Sequence, residues 1–141
     1  MESPLLEPGV KIRTTPEGEA VSAVIEDYER ALDSMDIEAI RVLVSQDYYE
    51  NAGTTDTTTD DYGFDEVDRM FTMLLEHVED MNVEISLRDV IVDGPDADVL
   101  FEYTMRVRYS VAEGSHWETE RDVNRVQLRN EDGNWRIVSG L

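Results

Sequence analysis

Val99–Val111 reads VLFEYTMRVRYSV, and this stretch decides the architecture. Val99, Phe101, Tyr103, Met105, Val107, Tyr109 and Val111 share one parity, and Glu102, Thr104, Arg106 and Arg108 share the other. Strict alternation is the period of a β-strand with one covered face. A strand of this length curls strongly, because twist accumulates residue by residue. Its flanks continue the theme. Asp93-Gly94-Pro95-Asp96 is a turn. Before it, Val83, Ile85 and Leu87 alternate with polar residues, and Val90 and Val92 follow out of phase, which predicts a bulge near Arg88–Asp89. On the other side Glu113-Gly114-Ser115 is a turn, a strand follows from about 116 to 129, Asn130–Asn134 turns around Gly133, and WRIVSGL closes the chain.

Upstream of residue 82 the period is helical. Thr15-Pro16-Glu17 places a hydroxyl cap, a first-turn proline and an acid in sequence, a helix start. Val21, Val24, Ile25, Tyr28, Ala31, Leu32 and Met35 then form one stripe over about 16 to 34. Asp36 caps a second helix, DIEAIRVLVSQ. Tyr48-Tyr49-Glu50 is a short strand, and residues 51–63 are a polar loop. A third helix is predicted over about Asp65 to Asp80, with Val67, Met70, Phe71, Leu74, Val78 and Met81 inward. Helices first and antiparallel strands after them mean α+β. The expected form is a cystatin-like cone: three N-terminal helices packed on a strongly curved antiparallel sheet of four long strands, plus one short strand. Residues 1–14, with two prolines, a glycine and no periodicity, read as an extended or disordered arm, and 15–141 as a single domain.

The composition narrows the partners. Thirty-three Asp and Glu oppose twelve Lys and Arg, a formal net charge of −21, and Lys11 is the one lysine. Nucleic acid and anionic membrane need a basic footprint and are excluded as partners. No apolar run approaches a membrane span of about 20 residues. With no cysteine, disulfides and thiolate chemistry are excluded. The acids are spread through the whole chain, which fits a salty habitat or simple solubility better than docking to a basic partner. Self-repulsion predicts thermal stability that rises with salt. The absence of a secretory leader predicts cytoplasmic residence, with an exported or lipid-anchored parent as the alternative. Asp56, Asp60, Asp61 and Asp65 lack the offsets of a calcium loop, so no metal and no cofactor is expected.

Two segments resemble the nuclear transport factor 2-like superfamily, whose members include SnoaL-like cyclases and ketosteroid isomerases. YERALDSMDIEAIRVLVSQDYYEN, Tyr28–Asn51, is similar to the opening helices and first strand of these domains. Glu131–Leu141, EDGNWRIVSGL, is similar to their closing hairpin. The likeness runs over about residues 16–141. It implies a cone with a pocket at its wide end and pairing of two copies through the outer sheet face. For the isomerases it implies a donor tyrosine at Tyr28, a general base at a position that falls on Ala52, and an acid at Asp122, or at Arg121 if the last hairpin is two residues longer. Ala52 takes no proton, which disfavours that chemistry. Glu50 and Asn51 are nearby.

The candidate residues follow from stripe and parity. Tyr28 lies on the inner stripe of the first helix, as a ligand donor or as a core tyrosine. Asp122 and Asn124 share parity with Val126 and Leu128, so they face inward unless a bulge reverses the strand. Tyr49, Met70, Tyr103 and Met105 complete the expected pocket. His77 is a further candidate base or a helix-flank residue, and His116 and Trp117 open a strand at the rim. The outer parity of the long strands collects Arg106, Arg108, Arg125 and Gln127, the expected face of a homodimer. Three functions are compatible with this pattern. One is a SnoaL-like domain binding a small apolar molecule without catalysis. Another is a proton-transfer enzyme, a dehydratase, cyclase or isomerase, using Tyr28 with Asp122 or His77. The last is a noncatalytic dimerisation module with a filled interior.

Overall fold

The computed structural model describes residues 15–50, 62–111 and 114–141. The N-terminal arm and the acidic part of the polar loop, with Asn51, Ala52, Asp56, Asp60 and Asp61, lie outside the described residues.

Helix α1, Pro16–Asp33, starts as its cap predicts: Thr15 Oγ1 accepts from the Gly18 N–H at 3.0 Å. Its stripe buries Val21, Ile25, Tyr28, Ala31 and Leu32. Asp36 caps α2, Ile37–Leu43, by accepting from the Ala39 N–H at 3.2 Å. This helix stops earlier than its apolar pattern suggests, because Val44 turns extended and bridges Ile137. Two short strands follow, β1, Tyr49–Glu50, and β2, Tyr62–Gly63, paired antiparallel. The second of these has no counterpart in the expected element order.

Helix α3, Phe64–Glu76, is one turn shorter than predicted. His77 closes it, its Nδ1 lying 2.7 Å from the Met73 carbonyl oxygen. Val78 and Met81, expected on the helix stripe, are buried instead in strand β3, Val78–Asp93. Their spacing of three suits a helix. It also suits a strand with one extra residue, and the register does shift between Val78 and Asp80.

Strands β3, β4 (Asp96–Val111), β5 (Gly114–Glu131) and β6 (Asn134–Ser139) form one antiparallel sheet in that order. Three are long and β6 has six residues, so the prediction of four long strands is corrected at the C-terminus. The bulge expected at Arg88–Asp89 is present as a register shift between Leu87 and Asp89. Asp132 (φ 55°) and Gly133 (φ 92°) make a tight two-residue turn between Glu131 and Asn134.

The core lies between the helices and one face of this sheet. Val83, Ile85, Leu87, Val99, Phe101, Val107, Val126 and Leu128 are all buried there. Each such side chain contributes about 1.5–3 kcal/mol through removal from water. The edge strand β3 is closed by α1: the Ile85 N–H donates to Glu29 at 2.7 Å and the Val83 N–H to Asp33 at 3.0 Å. Acidic helix residues thereby cover backbone donors that would otherwise invite a foreign strand.

Candidate functional site

Register places the site. Strands β4 and β5 pair without a shift from Asp96↔Arg129 to Val111↔Gly114. Partners in an antiparallel pair share a face. Asp122 opposite Tyr103, Asn124 opposite Phe101 and Glu120 opposite Met105 are therefore on the face that buries Phe101, Val126 and Leu128. No register shift falls in this stretch, and Asp122 itself is exposed.

Rows across the concave face show a chemical gradient. Ile85 leads through Tyr103 to Asp122, Val83 through Met105 to Glu120, and Met81 through Val107 to Glu118. The β3 end is apolar and buried. The middle is aromatic, aliphatic or thioether and mostly half-buried. The β5 end is carboxylate, and it is exposed, as is all of 114–123. At about 4.8 Å between strands, one row covers about 10 Å from core to solvent.

Tyr28 stands over the first of these rows. The next residue, Glu29, binds the Ile85 N–H. Its ring meets Phe71 edge-on at 6.3 Å, and the residue is 8% exposed. Among the described residues the Tyr28 hydroxyl makes no hydrogen bond. Burial pushes its phenol well above the ordinary tyrosine range, and the neighbouring Tyr103 phenol adds to the push. The Tyr103 hydroxyl donates to Glu120 at 3.2 Å, and its pKa is raised first by burial and then by Glu120 and Asp122.

Other expected site residues separate from this group. Tyr49 is 56% exposed and Met70 is 44% exposed, so neither forms part of a buried wall. Met70 shares a helix with Phe71 but faces outward, since an amphipathic helix buries only a limited arc. His77 is exposed at the end of α3, tied to Met73, and is not positioned as a base. Asp122 is exposed and accepts from the N–H of Val123 at 2.8 Å. Glu120 and Glu118 were not singled out from the sequence. Their signal was the parity that selected Asp122, two and four residues earlier.

The convex face gathers arginines among its acids. Arg106 and Arg108 hold their guanidiniums 5.0 and 5.5 Å from the Trp117 ring centre. Glu102 lies between Arg88 and Arg121, whose hydrogen bonds hold its carboxyl below the usual range. Arg125 pairs with Asp98 at 3.3 Å, and Gln127 accepts from Ser139. Among the described residues no group of three ligating side chains is placed to hold a metal, and no helix is long and apolar enough to cross a membrane.

Residues 21–140 match the family described as the SnoaL-like domain. Several solved structures share the fold. A conserved protein from Planctomyces limnophilus superposes with a TM-score of 0.71 at 13% identity, covering 89% of this chain and 98% of that one. An uncharacterised cystatin-like protein from Caulobacter vibrioides gives 0.65 at 19% identity, covering 88% and 87%. A ketosteroid isomerase-like protein from Erwinia carotovora atroseptica gives 0.66 at 15% identity, covering 89% and 93%. No curated protein matches the chain.

Proposed function

We propose that this chain, which belongs to the SnoaL-like domain family, binds a small, largely apolar molecule at the wide end of its cone. One observation carries the reading. Tyr28, 8% exposed, makes no hydrogen bond through its hydroxyl among the described residues, and it neighbours Tyr103, whose row runs to the exposed end of β5. A hydrogen bond from this hydroxyl to a ligand oxygen would contribute about 0.5–1.5 kcal/mol. Phe71 and Tyr103 are its aromatic neighbours, and Phe101 and Met105 flank Tyr103 on the same sheet face, the usual composition of such a site. Binding is favoured over catalysis because Asp122 and His77, the candidate acid or base, are both exposed.

A titration of the labelled protein with neutral aromatic fragments, read through backbone amide shifts, tests this. Hits should move Tyr28, Tyr103, Met105 and Asn124 together, and Tyr28→Phe should weaken them about tenfold, the scale of one lost hydrogen bond. Fragments that leave these amides unmoved to millimolar concentration, or that collect elsewhere, would refute it.

The convex face is assigned to a second copy of the chain. Trp117 and Val123 are 43% and 51% exposed there. Arginines alternate with Asp98 and Glu102, so the face is complementary to itself. Arg106, Arg108, Arg121 and Arg125 would meet acids of the second copy there.

A further inference from the structure

We propose that residues 1–14 of this chain dock into an apolar groove on the outer side of the helices, between α1, α2 and the β5–β6 turn. The groove is separate from the ligand site and from the convex sheet face.

This groove is an exception on an acidic surface. The outward arc of α1 is mostly charged, with Glu17, Glu19, Asp27, Arg30 and Asp33 among its exposed residues. Ala20, Ala23 and Val24 interrupt it at the spacing of one helical stripe, and the two alanines are exposed. They stand apart from the core stripe of Val21, Ile25, Tyr28 and Leu32. Helix α2 faces them with Val42, 67% exposed, and with half-buried Ala39 and Leu43. Two adjoining depressions share Asp27, Val42 and Leu43. One is closed by Gly133–Arg136, the other by Ser34 and Asp36. A continuous apolar strip of this kind marks a surface that another segment covers.

Reach, composition and charge select the occupant. Residue 14 is bonded to Thr15, the cap of α1. From Pro16, Ala20 lies about 6 Å along the helix axis and Ser34 about 27 Å. Fourteen extended residues span up to about 46 Å, enough to return along the whole groove. Val10 and Ile12 then come level with the first depression, and Leu5 and Leu6 with the second. Pro4 and Pro8 favour an extended backbone that needs no strand partner.

The arm is also neutral. It holds Glu2 and Glu7 against Lys11 and Arg13, so the net charge of −21 belongs entirely to the rest of the chain. A second copy would bring that charge to the groove, whereas the arm brings none. Among the described residues Glu17 and Glu19, in the first turn of α1, form no ion pair, and Arg13 and Lys11 pass beside them. Attachment to α1 holds the arm at an effective concentration on the order of millimolar, which a separate partner lacks.

The chain has no cysteine, so Ser3→Cys gives a single attachment point for a nitroxide spin label in the full chain. The amide signals of Ala39, Val42 and Leu43 should broaden beyond detection, and those of Trp117 and Asp122 on β5 should keep their intensity. Spin-labelled protein without isotopes, mixed with isotope-labelled protein without the nitroxide, should leave the helix signals unchanged. Leu5→Ser/Leu6→Ser should restore the signals of all three residues, and Val42→Glu those of Ala39 and Leu43, with the rest of the spectrum still that of the folded domain. The first variant lies outside the domain and the second at an exposed position, so neither tests folding. Helix signals that stay sharp overturn the proposal, as does broadening that falls instead on β5. Broadening of the helix signals in the mixed sample gives the groove to a second copy. Broadening that survives either variant shows that the apolar contacts do not hold the arm.

Discussion

Glu29 holds its carboxylate against the edge of the sheet, where it serves and burdens the fold at once. It accepts the Ile85 N–H at 2.7 Å. Its pKa is nevertheless raised: burial is the largest cause, partly offset by that hydrogen bond, and Asp33, Glu26 and Glu84 push the same way as burial. A carboxyl raised on folding favours the protonated form in the native state. Its stabilising contribution is complete below the unfolded value of about 4.3 and is lost as pH rises through the native value. Glu29→Gln keeps an oxygen for Ile85 and removes the charge. It should raise Tm by about 1–3 °C at pH 7, an advantage that closes below about pH 4. Glu29→Ala, which removes the acceptor, should lower Tm at both pH values. Scanning calorimetry of the three proteins decides; a Gln variant less stable than the parent at pH 7 would mean the charge itself holds the edge. Tyr28 is the opposite case at this scale: its place on the inner stripe is legible in the sequence, while its unpaired hydroxyl depends on what α1 and β4 set beside it.

At the scale of elements, alternation and capping carried most of the fold. Thr15 and Asp36 start their helices as side-chain caps do, and the bulge near Arg88–Asp89 follows from two apolar sets of opposite parity. The misplaced boundary at α3 came from Val78 and Met81, whose spacing suits two structures; only the pairing of Val78 with Tyr109 separates them. Pairing between distant segments is what a local pattern cannot display, and β2 escaped notice for the same reason. The C-terminal seam shows how such pairing is secured. Gly140 has φ 100°, and a Cβ there would lie 2.8 Å from Val126 Cα and closer still to the Arg125 carbonyl oxygen. Only glycine permits this approach. It brings the Leu141 N–H to the Tyr48 hydroxyl at 2.9 Å. Gly140→Ala should displace the last residues from β5 and cost about 1–3 kcal/mol, measured by denaturant unfolding, with the Tyr48 ring signals moving. Unchanged stability would mean the seam adds nothing to the fold.

For the whole molecule the governing quantity is the charge of −21. Two copies meeting through their convex faces must overcome repulsion between their total charges before Trp117 and the flanking arginines come into contact. Local complementarity acts over a few ångström, whereas the repulsion extends over a Debye length, about 30 Å at 0.01 M salt and 3 Å at 1 M. Salt therefore removes more of the repulsion than of the close contacts at Trp117, which are partly stacked and partly apolar. Association should strengthen as salt rises, the reverse of an interface steered by opposite net charges. Sedimentation velocity between 0.05 and 1 M NaCl, concentrations chosen to span the screening range, should show a growing dimer fraction, with Tm rising alongside it. Arg108→Glu should abolish the dimer at every salt concentration, since it puts a carboxylate under Trp117 and beside Glu79, which now pairs with Arg108 at 3.2 Å. Tm should still climb with salt in that variant, because self-repulsion within one copy persists. A dimer that dissociates on adding salt, or that survives the reversal at Arg108, would place the contact on another surface.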